Sequence, residues 1–179
     1  MDFDVVRPPL AFAVWLAASA ICSAPVPAQM FTDAERIPVT EDLAPVIREL
    51  FDAIESASDY RADGALPHVF QLPQHLLEER VCDEPCDVRA AYVPHEGIYL
   101  SGNLDPLREP PDRAVLLHEL VHYLQQGHSK FVGMAPCERE RTKEVEAFAI
   151  QNAYLEQLGI GERAVFYDDF DCEAVESER

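Results

Sequence analysis

The stretch Leu116-Leu117-His118-Glu119-Leu120-Val121-His122-Tyr123-Leu124-Gln125 sets two histidines four positions apart in an otherwise apolar run. On a helix, residues i and i+4 share one face. His118 and His122 are therefore expected to point the same way and to clamp one Zn²⁺. Glu119, beside them, is placed to polarise a water at that metal. A solvated helix would carry Lys, Glu or Gln at several of the intervening positions. Val115, Leu116, Leu117, Leu120, Val121, Tyr123 and Leu124 stand there instead. The helix is expected to be buried on its other sides, as a metal site inside a domain requires. The pattern points to a zinc-dependent hydrolase, with peptide hydrolysis as the first activity to test.

The N-terminal residues read as an export signal. Arg7 precedes an apolar run from Leu10 to Cys22, and Val26-Pro27-Ala28 fits a small-residue cleavage site before Gln29. The expected division is 1–28 as signal peptide and 29–179 as one domain with an acidic C-terminal tail. The run is too short for a comfortable membrane span, so no stable span is expected after cleavage. Ile21 is too bulky for the residue before a lipidated Cys22. The chain has five Cys, and cleavage would leave Cys82, Cys86, Cys137 and Cys172. An even count in an exported chain argues for two disulfides in a periplasmic or secreted protein. Cys82 and Cys86 bracket Asp83-Glu84-Pro85, where a local bridge could close a turn. Cys137 would then tie down the tail through Cys172, although the other two pairings remain open, as does a thiol zinc site.

The formal charge of the whole chain is −19. The expected signal contains two acids and one base, so its removal leaves −18. Such a surface repels nucleic acid and anionic lipid. It fits a soluble exported protein, with a preference for basic substrates as the other reading; the expected peptide or protein substrate rests on the histidine motif, and nothing in the sequence sets the oligomeric state.

Along the mature chain, Thr40 is expected to cap a helix running to about Ser56, with Leu43, Val46, Ile47, Leu50, Phe51 and Ile54 on one face. Val69–Leu72 reads as a short strand stopped by Pro73, and a helical turn or loop follows over Leu76–Val81. Residues 88–93 and 97–100 read as strands of a hairpin turning at Pro94-His95-Glu96. Pro110 and Pro111 suit the start of the histidine helix, and Gly127 its stop. A second long helix is expected over about 138–158, before Gly159. The fold class that follows is α+β: a short antiparallel sheet or hairpin packed against the histidine helix and a second long helix.

Catalytic zinc usually takes three protein ligands and keeps a position open. The segment Thr142-Lys143-Glu144-Val145-Glu146-Ala147-Phe148-Ala149 offers two glutamates, and His128 offers an imidazole. Over residues 88–158 the chain resembles the zincin metallopeptidases, in particular the gluzincin branch and small exported bacterial domains with a His-Glu-x-x-His-x-Leu-Gln helix. In that family the Glu ligand often precedes Ala, with a small residue two positions later. The resemblance therefore implies Glu146 as third ligand, with Glu144 in reserve. It implies that the last strand before the histidine helix is a sheet edge that receives substrate. It also implies that Glu119 acts as general base. Ile150 stands where the family often has an Asp, which leaves open what orients the histidines. His128 has the spacing of the metzincin pattern, but Gln125 stands where that pattern needs Gly for a sharp turn. Met134 comes very soon for that family's Met-turn.

Tyr92, Tyr99, Tyr154, Tyr167, His95 and His128 are candidates for stabilising a transition-state oxyanion. His68 and His75 read as surface or turn histidines. Two other readings stay open: a zinc-binding interaction module without turnover, and a hydrolase of cell-wall peptide amides.

Overall fold

The structure, a computed structural model, describes residues 36–82, 86–161, 163–165 and Cys172. The expected signal peptide and the aromatic stretch at 166–170, including Tyr167, lie outside the described residues. The elements in chain order are β1 (Ile37–Pro38), α1 (Thr40–Ala57), β2 (Val69–Leu72), α2 (Gln74–Val81), β3 (Ala90–Val93), β4 (Gly97–Ser101), α3 (Pro110–Gln125) and α4 (Pro136–Gln157). A single 3-10 turn, Ser129–Phe131, lies between α3 and α4.

Helix α1 forms where the apolar residues recur every three or four positions. Leu43, Val46, Ile47, Leu50, Phe51 and Ile54 are all buried. Thr40 is already helical, with Val39 at the cap position. Its hydroxyl serves the sheet instead, accepting from the Val69 amide at 2.8 Å.

The sheet is larger than a hairpin and is mixed rather than purely antiparallel. Its order is β1-β2-β4-β3. β3 and β4 pair antiparallel, as their three-residue turn dictates, but β2 pairs parallel with β4. Local turn chemistry could reveal the hairpin; the parallel pairing joins residues about thirty apart and depends on the crossover through α2. β4 is buried along its whole length because it is a central strand with both faces covered. Its side chains alternate accordingly. Ile98 and Leu100 join the main core with α1 and α3, while Tyr99 packs with Leu72 and Leu77 beneath α2. The result is a mixed α/β domain, compatible with α+β.

Gly97 opens β4 with φ at 138°, in the region that favours glycine. A Cβ there would overlap the His68 carbonyl oxygen, which accepts the Ile98 amide at 2.8 Å. Neither backbone segment can retreat without breaking the β2–β4 ladder. Gly97→Ala is expected to cost about 3 kcal/mol, combining φ strain with the overlap. Urea unfolding of both proteins checks this, and a loss under 1 kcal/mol would contradict it.

Cys82 bonds to Cys86 just after α2, and Cys137 in the first turn of α4 bonds to Cys172. This is the pairing in which the local bridge leaves Cys137 for the tail. Two disulfides fit an exported protein. Among the described residues no helix is long and apolar enough to cross a membrane. Thiol titration of the denatured, unreduced mature protein should read near zero; two or more reactive thiols would contradict the bridges.

Candidate metal centre

Helix α3 is buried without interruption from Ala114 to Val121, because α1, the sheet and α4 all pack on it. His118 and Glu119 are thus polar groups in an apolar setting, each 4% exposed. The two imidazoles meet edge to face, and their Nε2 atoms are 3.0 Å apart.

α4 runs antiparallel to α3: His118 pairs with Gln151, and Gln125 with Lys143. That alignment brings Glu144 to the histidines. Its Oε2 lies 3.3 Å from His118 Nε2 and its Oε1 lies 3.2 Å from His122 Nε2. His118, His122 and Glu144 form a group that could hold a metal ion.

The expectation that Glu146 would join the histidines is corrected here. Two residues on a helix differ by about 200° in direction, so Glu144 and Glu146 cannot face the same point. Glu146 accepts from the Tyr60 hydroxyl at 2.7 Å and pairs with Lys130 at 2.7 Å. Burial would raise its carboxyl pKa, but Lys130 and Tyr60 outweigh this and hold it below the usual carboxylate range. His128 is also elsewhere, with its ring edge-on to Tyr60 and its Nδ1 accepting from the Lys130 amide. Met134 is exposed beyond the 3-10 turn.

Two glutamines orient the histidines. Gln151 Oε1 lies 3.1 Å from His118 Nδ1, and Gln125 Oε1 lies 2.9 Å from His122 Nδ1. The Gln125 Nε2 donates to the Lys143 carbonyl oxygen at 3.1 Å, which only accepts. The amide oxygen must then face His122, so His122 Nδ1 carries hydrogen and Nε2 is the atom left toward Glu144. Sequence reading missed both partners. A signal existed: Gln151 lies seven residues after Glu144, two turns along the same face, and Gln125 lies one turn after His122.

Glu119 is not among the grouped donors His118, His122 and Glu144. Its Oε2 accepts from the Tyr92 main-chain amide at 2.7 Å. Burial raises its pKa, against the opposing pull of His118 and His122. Burial alone would lower His122, but the hydrogen bond and charge of Glu144 dominate and raise it to about 9. Burial would likewise raise Glu144, yet its bonds to the two imidazoles hold it far below the usual carboxylate range.

A cleft of about 220 Å³ opens beside the group, lined by Ala91, Tyr92, Glu119, His122, Lys143 and Glu144 among others. His122 and Glu144 keep side-chain exposures of 14% and 17% toward it. β3 forms one wall and is an edge strand among the described residues; the expected edge, the last strand before the histidine helix, is β4, which lies between β2 and β3 instead. Of the oxyanion candidates, Tyr92 lines this cleft. Tyr99 and Tyr154 lie in the core, and His95 sits at the hairpin tip with φ at 67°.

Fold and centre together define a mixed α/β domain that holds a largely buried His-His-Glu group beside an open cleft. The chain belongs to the family described as "Domain of unknown function (DUF6647)", whose model matches residues 39–168 and so spans every residue of the centre. No curated protein and no solved structure matches it.

Proposed function

We propose that the protein is an exported zinc metallopeptidase of zincin-like architecture, with His118, His122 and Glu144 as the metal ligands. The observation carrying this reading is the convergence of the three donor groups. Their nearest atoms are 3.0, 3.2 and 3.3 Å apart. Ligand atoms on a tetrahedral zinc, at bonds of about 2.0–2.1 Å, lie about 3.3 Å apart. The donors also fit chemically. If Gln151 accepts the Nδ1 hydrogen of His118, as Gln125 does for His122, both Nε2 atoms face Glu144, and each offers a metal its lone pair once any hydrogen there has left. Glu144 Oε2 is buried with only the His118 Nε2 contact at 3.3 Å and no regular hydrogen bond, a costly state for a carboxylate oxygen unless a cation shares the space. Two imidazoles and one carboxylate are a common catalytic zinc set.

Zinc bound there would act as a Lewis acid, polarising a scissile carbonyl and making the attacking water more acidic. Glu119 takes the proton as that water's oxygen bonds to the carbonyl carbon. As the C–N bond breaks, Glu119 delivers the proton to the leaving amine. The Tyr92 amide holds this carboxylate against β3, out of the ligand set. Burial keeps its pKa raised, which suits a group that must both accept and donate a proton. The edge of β3 offers backbone groups to which an extended peptide can add as a further strand. Gln125 keeps His122 aimed through Nε2, and Gln151 does the same for His118 when its oxygen accepts from Nδ1.

The test pairs elemental analysis with turnover on a mixed peptide library, using purified mature protein. About one zinc per chain, together with cleavage abolished by a chelator and restored by zinc, is expected. Bound zinc without cleavage would favour a binding module on the same scaffold, a reading the small cleft supports. Peptidoglycan fragments in the same assay separate cell-wall amides from protein substrates.

A further inference from the structure

We infer that Glu146 is a positioning residue: acting through Gln125, it holds His122 in the tautomer that leaves Nε2 free for a metal. It thereby ties Tyr60 and the 3-10 turn to the metal centre. The inference rests on reading His118, His122 and Glu144 as ligands.

Three segments converge on this one carboxylate. The Tyr60 hydroxyl donates to Oε2 at 2.7 Å. Lys130 Nζ lies 2.8 Å from Oε1 and 2.7 Å from Oε2, and also sits 4.3 Å above the Tyr60 ring. Gln125 Nε2 donates to Oε2 at 3.3 Å. Gln125 is 1% exposed, so water offers its amide no alternative partner. Its two N–H groups go to the Lys143 carbonyl and to Glu146, and its oxygen goes to His122 Nδ1.

A flipped amide would aim its oxygen at two acceptors and its NH₂ at His122 Nδ1. The imidazole would then have to carry its hydrogen on Nε2, the atom that faces Glu144 and His118. The Lys143 carbonyl already opposes that flip. Glu146 adds a charged acceptor, and charge-assisted hydrogen bonds are roughly twice as strong as neutral ones. Lys130 and Tyr60 in turn fix where the Glu146 oxygens lie.

The experiment uses the full mature chain. Zn²⁺ affinity is measured by chelator competition, and the visible spectrum is recorded after loading with Co²⁺. Glu146→Ala is expected to weaken Zn²⁺ binding about tenfold, the low end for outer hydrogen-bond partners of a metal site. It should also shift the Co²⁺ bands. Glu146→Gln keeps an acceptor oxygen at the Oε2 position and should restore the bands and stay within about threefold of wild type. Gln125→Leu alone should cost about 10–100-fold, and adding Glu146→Ala to it should cost nothing more. Wild-type affinity in Glu146→Ala would overturn the inference. So would an equal Glu146→Ala loss with and without Gln125, or a loss beyond tenfold in Glu146→Gln. Failure of the wild type to bind Zn²⁺ would instead overturn the metal-site reading beneath it.

Discussion

Glu144→Gln is expected to strip the protein of the proposed metal, while Glu146→Gln, two residues along the same helix, leaves metal content near wild type. Losing one of three protein ligands removes several kcal/mol of binding, on the order of a thousandfold or more in affinity. His118→Ala and His122→Ala should match Glu144→Gln; His128→Ala should not. The contrast between the two glutamates isolates geometry from charge, because each substitution removes one negative charge from α4. Elemental analysis after dialysis against a weak chelator reads the result. If Glu146→Gln were the damaging change, the ligand set would be wrong.

The same site predicts a pH dependence. In the metal-free protein His122 is protonated at neutral pH, since Glu144 raises it to about 9. Metal capture must displace that proton, so apparent affinity should rise about tenfold per pH unit toward pH 9 and then level off. Stability of the metal-free protein runs the other way. A pKa raised in the folded state contributes fully below the ordinary 6.5 and is lost as pH rises through about 9. The depressed Glu144 contributes above 4.5 and is lost as pH falls.

The second large effect concerns turnover. Glu119→Gln should keep zinc and lose hydrolysis by at least about a hundredfold, the low end for general-base catalysis. The substitution is nearly isosteric, and its amide oxygen can still accept from the Tyr92 amide that Glu119 now engages at 2.7 Å. What disappears is a group able to hold a proton. Metal content and peptide turnover must be measured on the same preparations. Cleavage that survives the substitution would point to a contaminating protease rather than to this site.

Much of the scaffold was legible because its signals are local. The 3–4 spacing from Leu43 to Ile54 marks α1, and Pro110 with Gly127 brackets α3. Val69–Leu72 and the Pro94–Glu96 turn emerged where strand and turn chemistry placed them. β1 did not, since two residues of edge pairing leave no periodicity to read. The parallel β2–β4 pairing was hidden for a different reason: β2 carries no mark of which strand it will join.

The centre divides along the same line. Sequence by itself determined that His118 and His122 share a face, because four residues of helix rotate by nearly one full turn. It also determined that they lie in an apolar helix, and that one of two nearby glutamates was available to them. Only the tertiary structure decided which one. Both glutamates sit on α4 and differ by about 200°; the choice depends on how α4 is rotated against α3, which Ala147, Phe148, Ile150 and Gln151 set by burying themselves. That rotation turns Glu144 to the imidazoles, leaves Glu146 for Lys130 and Tyr60, and brings Gln151 onto His118. A family pattern of Glu before Ala cannot encode it, because rotation about the helix axis belongs to the packed pair of helices and not to either sequence alone.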